Sequence, residues 1–178
     1  MNEVGKFEKV SLEQYMKDME PFGLTPEEIK EYYDKIRLPR RATTGSAGYD
    51  FFAPFMFTIY PGMSMKVPTG IRVQIAAGWF LGCVPRSGLG FEHGLRLANT
   101  VAVIDSDYYR SSNEGHIFLK IAMPNKDDLF GSSFFFTDGW MLKIEQGESF
   151  AQGIFLPYGI TVDDDADVVR NGGFGSTG

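Results

Sequence analysis

The sequence predicts an all-β domain preceded by a short helical segment, and three observations carry that prediction. From Leu38 onward, short runs rich in β-branched and aromatic residues follow one another at regular spacing. Turn residues bound them, at Pro61-Gly62, Pro68-Thr-Gly70 and Ala77-Gly78. Residues 1–37 have a different period, with apolar positions at helical spacing. A chain of 178 residues, 43% hydrophobic and 22% charged, suits one globular domain with a real core.

Taken in order, Leu12, Tyr15, Met16 and Met19 mark a first helix. A second starts at Thr25, the N-cap, with Pro26 at N1 and Glu28 at N3 as a capping box. It is predicted to reach Ile36 and stop before Pro39. Neither helix carries residues that suggest chemistry. Strands are predicted over 55–60, 63–67, 71–75, 79–84, 99–105, 117–123, 140–144 and 153–157. A polar loop at 125–139 is broken by Phe134-Phe-Phe136. Such strands and turns build a barrel or a sandwich.

Composition removes several function classes. Cys83 is the single cysteine, so no internal disulfide exists and a reducing, cytoplasmic setting fits. It lies in an apolar run and reads as a packed thiol. With only His93 and His116 beside it, no zinc constellation forms. The net charge of −6 argues against nucleic-acid binding. No apolar run is long enough for a bilayer, and the N-terminus lacks a signal-peptide core.

Three stretches suggest a site. The tail, 171–178, is half glycine, and its backbone N–H groups can form an anion-binding concavity beside Arg170. Phe174 can stack on a flat ligand. The combined reading is an arm that closes over a molecule bearing phosphate and base; a frayed terminus is the ordinary alternative. It is no Walker A loop, since the Gly-Lys-Ser/Thr ending is absent. Pro85-Arg-Ser-Gly88 follows a strand and offers a guanidinium, a hydroxyl and a backbone N–H to phosphate. Ile104-Asp-Ser-Asp-Tyr108 places carboxylates at i and i+2, on one side of an extended chain. One could act as general base, or both could hold Mg²⁺ through its waters. In isolation each is equally an ordinary turn, as are Ser46-Ala-Gly-Tyr-Asp50 and the acidic Asp163-Asp-Asp165.

Their order is more specific than any one of them. SAGYDFFA, PTGI (68–71), PRSGLG (85–90), NTVAVIDSDY (99–108), FAQGIF (150–155) and GGFGSTG together resemble the dUTPase family from Leu38 to Gly178. The N-terminal extension and the DYY…NEGH insertion are similar to versions from Gram-positive bacteria and their phages. The resemblance implies a jelly-roll-like distorted barrel, the β-clip, with residues 1–37 as a helical extension, 38–169 as the barrel and 170–178 as a closing arm. It implies a homotrimer with composite sites and Mg²⁺-dependent hydrolysis of dUTP to dUMP and pyrophosphate, in a bacterial cytoplasm or, for a phage enzyme, that of the host.

By the same resemblance Asp105 orients the attacking water and Tyr108 packs beneath the deoxyribose. Asn99 and the following hairpin read uracil. Arg86, Ser87 and Gly88 contact phosphate, Gln152 lies near the α-phosphate, and Asp50 supports the metal's water shell. Arg170, Phe174, Gly175, Ser176 and Thr177 form the arm. The chain departs from the family in four places. Ala102 stands where glycine is usual, and Phe150 replaces an arginine at a subunit contact. Three residues separate Arg170 from Phe174, one fewer than in many members, and Tyr109 with the 110–115 insertion disturbs the DYRG turn. A dCTP deaminase of the same fold would need a catalytic glutamate, and only Glu92 is near PRSG. A dUTPase-like regulatory binding protein is the other alternative, using the helices or the 125–139 loop.

Overall fold

The structure, a computed structural model, describes residues 3–125 and 141–167. In chain order the elements are β1 (Gly5–Lys9), α1 (Leu12–Met19), α2 (Pro26–Asp34), β2 (Tyr49–Phe52), β3 (Phe57–Ile59), β4 (Ser64–Pro68), β5 (Ile71–Ile75) and β6 (Trp79–Pro85). Then come α3 (Ser87–His93), β7 (Arg96–Leu97), β8 (Ala102–Ile104), β9 (Phe118–Ala122), β10 (Leu142–Ile144) and β11 (Ser149–Pro157). Short 3-10 turns occupy Glu20–Phe22 and Ser106–Arg110.

The all-β reading holds. All strand pairs are antiparallel, in four sheets ordered β1-β5, β3-β10, β2-β11-β6-β8 and β4-β9-β7, with no closed barrel among the described residues. The nine-residue β11 is the spine, since β2 pairs along one edge and β6 along the other. Its alternation sets two faces. Ala151 and Gly153 face the core with Phe51, Leu81, Cys83, Ala102 and Ile104, while Gln152 and Asp50 turn to the opposite side. A Cβ on Gly153 would lie 2.9 Å from Phe51 Cε2 and 3.0 Å from Leu81 Cδ1, so only glycine fits that crossing. A register shift between Ser149 and Ala151 lets Phe150 also turn inward, fully buried and edge-on to Phe57 at 5.8 Å. Phe150 is thus a core residue.

Both helices form where local chemistry directs. Ser11 caps α1 by accepting from the Gln14 N–H at 3.1 Å. At Thr25 both arms of the capping box are made, worth about 1 kcal/mol. The second helix ends at Asp34 rather than Ile36, but Ile36 is still buried against Gly70. Tyr15 and Met19 are fully buried, so the pair is packed onto the body.

Several expectations are corrected. The N-terminal extension begins with a strand, β1, because Phe7 finds an aromatic nest of Tyr49, Phe51 and Phe155 with centroids 5.3–5.7 Å away. The stretch after PRSG, for which the sequence predicts no element, is a helix, with Leu89 buried and Gly94 ending it at φ +66°. The strand predicted over 99–105 is cut to β8, because residues 97–101 turn tightly and Thr100 takes a positive φ of 63°. The last strand starts at Ser149, not at 153. Trp140, the Phe134–Phe136 run and the 170–178 arm lie outside the described residues.

Candidate active site

One end of β6 gathers the groups expected to meet phosphate. Asp50 on β2 and Gln152 on β11 are register partners, and Gln152 Nε2 donates to Asp50 Oδ1 at 2.8 Å. This fixes which amide atom faces away from the carboxylate. Val84 of β6 is the other neighbour of Gln152, and two residues later Arg86 begins α3, its N–H donating to Phe150 O at 3.2 Å. Arg86, Ser87 and Gly88 are exposed. The first intrahelical bond runs from the Gly90 N–H to Arg86 O, leaving the N–H groups of residues 87–89 without intrahelical acceptors. A Cβ at Gly88 would meet nothing within 4 Å, so packing does not demand glycine there; its absence leaves the backbone open to approach. The Arg86 guanidinium makes no hydrogen bond or ion pair among the described residues. A helix start, an open backbone and an uncommitted guanidinium together suit an oxyanion.

Asp105 lies at the other end of β6. It follows Ile104, the partner of Leu81, and is therefore level with Phe80. Six residues of strand separate Phe80 from Arg86, about 20 Å. A single chain does not bring Asp105 to Asp50, Gln152 and Arg86. The expectation that Asp105 and Asp107 share one side of an extended chain is also corrected: Asp105 is extended (φ −77°, ψ 157°) but Asp107 lies in the 3-10 turn and is exposed. Only Asp105 is half-buried at the strand end.

Tyr108 is 3% exposed. Its hydroxyl donates to His116 O at 2.8 Å and accepts from Asn113 Nδ2 at 2.8 Å. Ser111 caps the turn by donating to Tyr108 O at 2.7 Å. Gly115 takes φ +72°, and a Cβ there would be 2.7 Å from Tyr109 Cα, so the returning chain passes over the turn at contact distance. Tyr109 faces elsewhere, under the Arg72 guanidinium at 3.7 Å from the ring. Sequence reasoning passed over Asn113 and His116, which hold this turn; a histidine directly before the apolar run of 117–119 was the available signal.

Asn99 is exposed and lines a cleft of about 420 Å³ with Lys66, Ala98, Phe118 and Lys120. Ala102, on the core face opposite Cys83, is 4% exposed, so its Cβ packs inward. Cys83 is fully buried, and burial pushes its thiol up to about 12, which leaves it a packing residue. Glu92, the glutamate a deaminase would need, has its side chain 74% exposed, with Oε2 3.8 Å from His93 Nε2. No group of three or more metal-ligating side chains occurs among the described residues, and no helix among them is long and apolar enough to cross a membrane.

Comparison with known proteins bears on the family and the fold. The family model described as dUTPase matches residues 34–127. A deoxyuridine 5'-triphosphate nucleotidohydrolase of Lactococcus lactis is 40% identical over 146 residues, covering 80% of this chain and 89% of that protein. The crystal structure of dUTPase from Streptococcus mutans aligns with TM-score 0.61 and 30% identity over 89% of this chain and 98% of that one. A mutant dUTPase from phage phi11 of Staphylococcus aureus, described as coordinating a structural Mg(II) ion, aligns with TM-score 0.61 at 16% identity, over 93% of this chain and 98% of that one, a likeness of fold. The chain belongs to the dUTPase family.

Proposed function

We propose that this chain hydrolyses dUTP to dUMP and pyrophosphate by water attack at the α-phosphorus, in a homotrimer whose sites are shared between copies. The single observation that carries the reading is the pairing of an open phosphate cradle, Arg86-Ser87-Gly88 beside the pinned Gln152, with a carboxylate, Asp105, on the far end of the same strand. At about 20 Å they cannot act on one substrate within one chain, and a neighbouring copy would join them. The outer face of the sheet supports such an assembly: Val101, Val103, Leu156 and Tyr158 are each at least 40% exposed.

Asp105 orients the water and accepts its proton. Arg86, Ser87 and Gly88 hold the phosphates, and Gln152, oriented by Asp50, reaches the α-phosphate oxygens. Asn99 reads the base and Tyr108 lies against the sugar. Arg170, Phe174, Gly175, Ser176 and Thr177 close over the nucleotide as the arm of 170–178, the barrel being 38–169 and the extension 1–37. A lone half-buried Asp50 fits a Mg²⁺ held through water and by substrate phosphates rather than in a protein cage. When bound, that ion supplies charge neutralisation at the phosphate oxygens. The place of action is the cytoplasm.

Pyrophosphate release from dUTP, dTTP, dCTP and UTP side by side tests the activity. dUTP should lead by a wide margin; equal rates, or ammonia from dCTP, would reject it. Light scattering should give a trimer mass, and a fully active monomer would contradict the shared site.

A further inference from the structure

The turn that carries Asp105 and Tyr108 is gripped by the N-terminal extension at three points. Tyr109 donates its hydroxyl to Glu8 Oε2 at 2.6 Å. Glu114 accepts from the Ser11 main-chain N–H at 2.8 Å and from its hydroxyl at 2.6 Å. His116 contacts Asp18 Oδ2 through Nδ1 at 2.5 Å. The first two contacts involve partly exposed carboxylates, 27% and 34% open, and hold residues other than Tyr108. The third is different. The His116 ring is fully buried, and its Nε2 accepts the Gly70 N–H at 2.7 Å. That acceptor role puts the ring proton on Nδ1, where it is donated to Asp18. Both ring nitrogens are thus committed, and the ring cannot turn without breaking a buried bond. The carbonyl of the same residue receives the Tyr108 hydroxyl at 2.8 Å.

Docking of α1 does not rest on this pair alone. Tyr15 and Met19, fully buried, already supply its apolar contact. The polar pair adds direction: it selects one orientation of the 116 backbone, which in turn sets where the Tyr108 ring lies. Gln14 Nε2, donating to Asp18 Oδ2 at 2.7 Å from the previous helical turn, holds the carboxylate at that point.

We propose that Asp18 is a positioning residue for sugar recognition, acting through His116 on the Tyr108 ring. This rests on the reading of Tyr108 as the group against the deoxyribose. A helix that merely stabilised the fold would, when loosened, lower dUTP and UTP turnover alike. A positioning residue changes their ratio. The experiment compares kcat/KM for dUTP and UTP in full-length wild type, Asp18→Ala, Asp18→Asn, Tyr108→Phe and the Asp18→Ala/Tyr108→Phe double variant, with oligomer mass checked for each. Asp18→Ala should lower the dUTP/UTP ratio about threefold or more, and the double variant should be no worse than the worse single one, because both act on one link. Asp18→Asn keeps an acceptor oxygen without the charge and should fall between wild type and Asp18→Ala. Should Asp18→Ala fail to fold, Asp18→Asn decides the matter alone. An unmoved ratio in the Asp18 variants, an unmoved ratio in Tyr108→Phe, or independent, multiplying effects overturns the proposal. Asp105→Asn is run beside them: if it loses turnover while the ratio stays fixed, the hydrolase reading stands and only the role of Asp18 falls.

Discussion

The two ends of β6 are built in opposite ways. At the Arg86 end the backbone N–H groups of α3 face outward, the guanidinium is uncommitted among the described residues, and Gly88 leaves open space. At the Asp105 end Tyr108, Ser111, Asn113, Gly115 and His116 form one hydrogen-bonded knot, much of it buried. The first end is left open to solvent. The second is completed by the fold itself, down to a glycine where any Cβ would crowd the Tyr109 backbone. A buried polar network is stable only when all its members are satisfied, so it fixes geometry before substrate arrives. An exposed cradle stays solvated until a ligand replaces the water.

If that contrast is right, substitutions at the two ends should separate activity from stability. The largest effect belongs to Asp105→Asn, which should keep nucleotide binding and lower the single-turnover rate about 10²- to 10⁴-fold. A rate within a few fold of wild type would remove Asp105 from the chemistry. Next is Arg86→Ala. Loss of a charge-assisted hydrogen bond should reduce kcat/KM about 10- to 100-fold, while the melting temperature stays within about 2 °C of wild type. A large drop in melting temperature would show that Arg86 supports the fold after all.

Gly115→Ala should do the reverse. It places a side chain at φ +72° and 2.7 Å from Tyr109 Cα, costing about 2 kcal/mol or more. Calorimetry should show a fall of about 4–8 °C, and an unchanged melting curve would mean the knot relaxes freely.

The smallest effect concerns pH. Burial works against the charges of Asp18 and Glu114, but hydrogen bonds outweigh it, from His116 and Gln14 for the first and from Ser11 for the second, so both carboxyls stay below their ordinary values of 3.8 and 4.5. A depressed folded value means the contribution is complete above about pH 4.5 and fades as pH falls through the folded values. The urea midpoint should therefore drop between about pH 6 and pH 3.5. The drop should be smaller in Asp18→Asn/Glu114→Gln, and an equal drop would place the acid sensitivity elsewhere.

Local chemistry was legible in the sequence. The capping box at Thr25, the helical spacing of Tyr15 and Met19 and most of the strands depend on residues within a few positions of one another. Cys83 as a packed thiol was readable from its apolar neighbours. The order of short motifs was equally legible, because order survives where no single motif is specific. Less legible was the direction of chain at the motif itself. The Asp-Ser-Asp spacing implies one face only if the strand continues, and the 3-10 turn at Ser106 ends it.

By itself the sequence determined the class of fold, the caps, the family and the identity of the residues that carry charge. Tertiary structure alone decided that Phe7 makes a strand, that Phe150 is core and that Asp18 meets His116 across 98 residues. It also decided that Arg86 and Asp105 lie at opposite ends of one strand. The physical reason is range. Capping and alternation are settled by neighbours along the chain, whereas register and buried polar pairs are settled by which distant segment arrives opposite, and only the packed core sets that.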